Sequence, residues 1–282
     1  ASDWDDYAGG RINHSGAGAI FAMEKWPNII GKTLAYEVAG HHAGLPDWFD
    51  GLGSLSQRLE TEKEVAGAIR EKVSTELSDL PKNLTPPAIA MQCDKMGKAV
   101  AYHFWVRMLY SCLVDADFLD TERFMDIHKA DQRPAFLALK ELKSRFDERM
   151  NDMTKKAADT SLNKVRAEIL AMCRKAANEK PGLFSLTVPT GGGKTLSGTA
   201  FALDHAVTHG KRRLIYVIPY TSIIEQTADI LRKFFGAENV VEHHSNLAPE
   251  KETPSHTLSA ENWDAPIIVT TNVQFFESLY AA

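Results

Sequence analysis

The sequence predicts a multidomain chain, an all-α domain followed by a parallel α/β domain, and three observations carry that expectation. Apolar residues recur at spacings of three and four in the first half. Short β-branched runs alternate with helical segments in the second. One of those runs leads into a glycine loop that opens a helix. With 282 residues and 44% hydrophobic content, the chain is long enough for two cores.

In chain order, the adjacent histidines of YEVAGHHAG sit between small residues on a predicted helix, and SDLPKNLTPP at Ser78–Pro87 reads as a surface loop. Tyr102, Trp105, Val106, Leu109 and Leu113 form one helical stripe; Phe136, Leu137, Leu139, Leu142 and Phe146 suggest another. The polar stretch Met153–Lys164 marks the boundary, placed near residue 158, which gives domains 1–158 and 159–282. Beyond it, strands are expected at Leu183–Val188, Leu214–Pro219 and Ile267–Thr271. A helix is expected from about Thr195 to His209, with Leu196, Ala200, Leu203 and Val207 on one face and Gly210 ending it. NLAPEKETPS at Asn246–Ser255 reads as a further loop.

No apolar run approaches the ~18–20 residues of a spanning helix, and the N-terminus lacks signal-peptide character. The expectation is a cytoplasmic protein with no membrane partner. Cys93, Cys112 and Cys173 are widely separated and odd in number, which argues against a disulfide framework or CxxC zinc site and suggests small buried hydrophobes. Net charge is −5, with 20 basic against 25 acidic residues before residue 160 and 12 against 12 after it. A polynucleotide would therefore be held by a local groove and backbone donors, not a global field.

The most specific motif is VPTGGGKT, Val188–Thr195. Strand, glycine loop and helix are the context in which backbone amides and a helix N-terminus hold phosphate. Thr190, Gly191, Gly192, Gly193, Lys194 and Thr195 are the candidate ATP residues, with Lys194 reaching the β/γ-phosphates and Thr195 holding Mg²⁺; Val188 stands where the strict pattern has glycine. Downstream, Pro219, Thr221 and Ser222 follow one strand and Thr270, Thr271 and Gln274 end another, each set placed to hold a nucleic-acid phosphate at a helix start. His243 and His244 read as a polar strand end, and Lys211–Arg213 as a solvated loop.

His41 and His42 raise the question of a metal. Neighbours on a helix point about 100° apart, so the pair would suit two ions, or two sides of a bimetal cluster, better than one. His14 sits among small residues that permit close approach, and Asp115 and Asp117 lie on a helical segment of which only one would enter a site. The bland alternative is a hydrogen-bonded core pair, and that is the expectation for His103 and His128.

The motor motifs PTGGGKT, VIPYTSIIEQT and TTNVQFFESLY resemble those of superfamily 2 helicases. The whole order HSGAGA, GHHAGLPD, RMLYSCLVDADFLDTE, VPTGGGKT, VIPYTSIIEQT and TTNVQFFESLYA is similar to the CRISPR-associated nuclease-helicases of type I interference systems. That resemblance implies an all-α HD-type nuclease domain ahead of a partial RecA-like P-loop helicase lobe. It makes His14, His41, His42 and Asp117 metal ligands and catalytic residues, with Asp115 the alternative to Asp117. Mn, Fe, Co or Ni would occupy the histidine site and ATP with Mg²⁺ the phosphate loop, while Pro219, Thr221, Ser222, Thr270, Thr271 and Gln274 would lie along single-stranded DNA. A crRNA-guided surveillance complex would be the partner. The family pattern also has an earlier histidine and a His-Asp pair, whereas the first thirteen residues hold no histidine; it continues into an acidic box and a second lobe. The expectation is an internal segment of a longer protein, with the remaining ligands upstream unless Asp3, Asp5 or Asp6 substitutes. Two other readings stay open: an HD-type phosphohydrolase of small nucleotides fused to an ATPase, and a noncatalytic module binding DNA or a partner.

Overall fold

The computed structural model describes residues 14–49, 51, 54–63, 79–92, 99–245 and 254–280, and the chain divides into two compact units, the first reaching Phe124 and the second running from Met125 to Ser278. Cys93, Asp3, Asp5, Asp6 and most of the Asn246–Ser255 loop lie outside the described residues.

The described part of the first unit is helical: α1 His14–Lys25, α2 Ile29–Gly40, α3 Leu55–Thr61 and α4 Val100–Met125. Asn28 caps α2, its Oδ1 accepting from the amides of Ile30 at 2.9 Å and Gly31 at 3.3 Å. Helices α1 and α2 form an antiparallel pair whose facing residues are small: Ala19, Ala22, Ala35 and Ala39 are all buried. A Cβ at Gly18 would stand 2.8 Å from Val38, so the close approach depends on these small side chains. The pair therefore brings the start of α1 beside the end of α2. Helix α4 runs in the same sense as α2. Its Tyr102 hydroxyl meets the Thr33 hydroxyl, and its Tyr110 hydroxyl donates to the Gly40 carbonyl at 3.1 Å, offsets of 69 and 70 residues.

The second unit adds α5 Ile127–Asp131, α6 Leu139–Lys156, α7 Ser161–Ala176, α8 Lys194–Thr208, β1 Leu214–Ile218, α9 Thr221–Phe235, β2 Val240–His243, α10 Pro254–Asn262, β3 Ile267–Thr271 and α11 Asn272–Tyr280. The sheet is parallel, ordered β1-β3-β2, with Leu214 and Val240 both opposite Ile267. Central β3 begins with the apolar run Ile267–Val269 and is buried through Thr270, as a strand covered on both faces requires. On α9, Ile224, Ala228, Leu231 and Phe235 line the face that packs on the sheet.

Two expectations are corrected here. Leu183–Val188 forms no strand: among the described residues no neighbour pairs with it, and Leu183 is fully exposed, so the apolar run has composition but no ladder. The units also part near residue 124, not 158. The stripe Leu139, Leu142 and Phe146 packs into the second core, with Phe146 5.1 Å from Phe234 and 5.8 Å from Phe235 between ring centroids. The break at Ala157–Thr160 is only the turn between α6 and α7. Ions reinforce that layer: Arg174 of α7 bridges Asp147 of α6 and Asp204 of α8, and Lys143 reaches both carboxylates.

Cys173 is buried, which pushes its thiol up, but Cys112 is exposed, and so are His103 and His128, which are not core residues.

Candidate functional site

In the second unit, the glycine loop leads directly into α8, whose N-cap is Gly193. Gly191 and Gly193 hold φ of +84° and +83°. Gly192 closes a turn, its amide donating to the Pro189 carbonyl at 3.1 Å, and a Cβ there would lie 2.3 Å from Val188. Lys194 and Thr195 are placed in the first turn of α8, where amides have no helical acceptor, and both are exposed. Thr190 is exposed as well. An anion-binding donor set is therefore present: a glycine loop, a helix N-terminus, an ammonium and a hydroxyl. These residues fit a nucleotide phosphate with Mg²⁺. Behind them the sheet is tied to the helix, because the Tyr216 hydroxyl donates to Thr199 Oγ1 at 2.7 Å and Thr199 donates to the Thr195 carbonyl at 2.7 Å.

The carboxyl ends of the parallel strands share one edge of the sheet, the usual binding rim of such a fold. Pro219 and Ser222 are exposed there and Thr221 is half-buried; Thr221 opens α9, whose N-cap Tyr220 offers no side-chain bond. Thr271 caps α11, its Oγ1 accepting from the Gln274 amide at 3.1 Å, and both residues are half-buried. Thr270 is different. It is fully buried and its hydroxyl donates to the His243 carbonyl at 2.7 Å, so it links β3 to β2 and does not face the rim. His243 accepts from the Trp263 indole at 2.8 Å, and buried His244 lies 3.0 Å from Glu242, which also pairs with Arg232.

In the first unit, the antiparallel pair gathers three imidazoles. His14 is the first residue of α1, His41 is the C-cap of α2, and His42 lies in the turn that follows. His14 Nε2 is 3.3 Å from His41 Nε2 and 2.9 Å from His42 Nε2, and one nitrogen from each ring lies within 4.8 Å of the others. The adjacent histidines converge because they stand at and beyond the end of the helix; their ring centroids are 3.8 Å apart. His41 Nδ1 lies 2.6 Å from the Val38 carbonyl, which can only accept. Nδ1 therefore carries the proton, and in the neutral ring Nε2 presents a lone pair toward His14. This donor set fits a divalent transition metal.

Asp117 stands behind this set, its Oδ2 4.0 Å from His42 Nδ1, close to the imidazole but beyond hydrogen-bond distance. Asp115 is not part of the three-nitrogen cluster among the described residues.

Two features carried no signal in the sequence. Arg58 of α3 donates to the Ala39 carbonyl at 3.0 Å and to Ser15 Oγ at 3.1 Å, joining the neighbours of His41 and His14. Glu37 is buried on α2 between the two tyrosine bonds from α4. Neither of its oxygens has a hydrogen-bond partner among the described residues, and burial pushes its carboxyl up to about 8.

Residues 147–281 match the family described as Type III restriction enzyme, res subunit, a helicase-family domain that spans most of the second unit. The chain is also 30% identical over 126 residues to the CRISPR-associated nuclease/helicase Cas3 of Haloferax volcanii. That match covers 36% of this chain and 13% of the relative, so the chain corresponds to a small part of that protein's length. A helicase-type domain implies use of ATP with Mg²⁺ and contact with nucleic acid. No helix among the described residues is long and apolar enough to cross a membrane.

Proposed function

We propose that this chain carries the histidine-rich part of an HD-type nuclease domain and the first part of a superfamily 2 motor lobe from a CRISPR type I interference nuclease-helicase. The observation that carries the reading is the convergence of His14, His41 and His42 in one unit, ahead of a phosphate loop with Lys194 and Thr195 in the next. The partial likeness to a nuclease/helicase and the helicase-family match support it.

In this reading the three imidazoles would hold a divalent metal, with Asp117 orienting His42 or entering the set. Such a metal supplies Lewis acidity and lowers the pKa of water for attack on a phosphodiester. The chain's own residues prepare the site: Val38 fixes the His41 tautomer and Arg58 holds the two helices that bear the ligands. Lys194 and Thr195 would hold ATP and Mg²⁺, and Pro219, Thr221, Ser222, Thr271 and Gln274 would lie along single-stranded DNA delivered by a crRNA-guided surveillance complex. Hydrolysis in such motors needs water-ordering and charge-stabilising groups in addition to these, so nucleotide binding is the activity expected of these residues.

The test is cleavage of single-stranded DNA with Mn²⁺, Co²⁺ or Ni²⁺ by this chain and by a version extended upstream, each against His41→Ala/His42→Ala. Metal-dependent cleavage lost in the double variant supports the nuclease reading. Cleavage of cyclic nucleotides but not of DNA by the extended protein would replace it with a phosphohydrolase.

A further inference from the structure

The phosphate loop is held from outside by a residue that neither motif contains. Arg166 stands in the second turn of α7, exposed, and turns the Nε/Nη2 edge of its guanidinium onto the Gly191 carbonyl, at 2.9 Å from Nε and 2.8 Å from Nη2. Its remaining nitrogen, Nη1, donates to Asn163 Oδ1 at 3.1 Å. Asn163 is itself fixed, because its amide donates to the Thr160 hydroxyl that caps α7 and its side chain donates to the Ala158 carbonyl at 2.9 Å. The Arg166 stem also runs beside the loop, with Cγ 3.7 Å from where a Cβ at Gly193 would be.

Two donors are thus spent on one neutral oxygen. The Nε/Nη2 edge of a guanidinium matches two oxygens of one anion, as a phosphate presents them, and such charge-assisted pairs are about twice as strong as neutral ones. An exposed cation within hydrogen-bond reach of Gly191 also lies beside the cradle built from Gly191–Thr195.

We propose that Arg166 is a second cationic ligand for the nucleotide phosphates alongside Lys194, exchanging the Gly191 carbonyl for phosphate oxygens when the loop is filled. Asn163 keeps the fork aimed through that exchange. This inference rests on the reading of Val188–Thr195 as a nucleotide site, and it adds the residue that recognises the polyphosphate from the side of α7.

The test is titration of this chain with Mg²⁺·ATP and with Mg²⁺·tripolyphosphate by calorimetry, comparing the wild type with Arg166→Ala, Arg166→Lys and Lys194→Ala. Arg166→Ala is expected to weaken both ligands by roughly tenfold or more, with its far-ultraviolet circular dichroism unchanged. Arg166→Lys, which keeps the charge but not the fork, is expected to fall between that and the wild type. Tripolyphosphate affinity within about twofold of the wild type in Arg166→Ala would overturn the proposal. If the wild type binds ATP no better than Lys194→Ala, the nucleotide site itself fails, which is a separate outcome.

Discussion

Tyr216 in β1 and Thr199 in α8 share a 2.7 Å hydrogen bond, and through it the sheet is connected to the carbonyl of Thr195 in the first turn of the phosphate-loop helix. Burial pushes the Tyr216 phenol up to about 12, against the opposing effect of its bond to Thr199, so it remains a neutral donor. Tyr216→Phe removes the donor and leaves the buried Thr199 hydroxyl short of a partner. A loss of about 1–2 kcal/mol is expected in urea unfolding, and an unchanged midpoint would mean the bond contributes nothing.

Glu37 gives the first unit a pH dependence of definite sign. Its carboxyl is raised from 4.5 to about 8, so the folded state holds a proton that the unfolded chain releases. Stability therefore falls as pH rises from 4.5 toward 8 and levels off above that. Glu37→Gln removes the effect and is expected to stabilise the unit by a few kcal/mol at pH 8, since each tenfold change in proton affinity is worth about 1.4 kcal/mol, while changing little near pH 4. Thermal unfolding of both proteins at pH 4.5 and pH 8 measures it; parallel pH profiles would refute it.

His14 lies within 3.3 Å of both other imidazoles, whereas Asp117 approaches His42 from its far side at 4.0 Å. Co²⁺ titration followed by d–d absorption should accordingly be abolished by His14→Ala and weakened roughly 10–100-fold by Asp117→Asn. Equal, complete loss in both variants would make Asp117 a direct ligand.

The ion cluster of α6, α7 and α8 predicts acid sensitivity in the second unit. Burial acts to raise the Asp147 carboxyl, but the Lys143 and Arg174 bonds and charges outweigh it and hold the group below its ordinary 3.8. Its contribution is complete above that value and disappears as pH falls through the lower, folded one. Asp147→Asn should cost about 1–3 kcal/mol at pH 7 and progressively less below pH 4, as followed by circular dichroism.

Local patterns made much of this legible. Apolar spacing located the helices at Val100–Met125 and Lys194–Thr208, and glycines followed by lysine and threonine marked the phosphate loop, because each signal lies within a few residues of its cause. His14, His41 and His42 were marked by the family order of motifs, but their convergence depends on two helices meeting through alanine and glycine, which no single stretch declares. Leu183–Val188 misled because a strand is defined by its neighbour as much as by its composition. The boundary misled because a polar turn between two helices of one core looks like a linker. Arg58, Arg166 and Glu37 were silent, since their roles come from carbonyls and packing partners distant in the chain.

Gly191 and Gly192 of the phosphate loop are required on different grounds. At Gly192 the constraint is volume, since an added methyl would strike Val188 at 2.3 Å. At Gly191 nothing among the described residues lies within 4 Å of the added carbon, yet φ is +84°. The objection there is to handedness: an L-alanine is strained at that angle, and its mirror-image residue adopts it without strain. A semisynthetic loop carrying D-alanine at position 191 would therefore keep its backbone shape where the genetically encoded L-alanine distorts it, which separates the chirality of the cradle from its size.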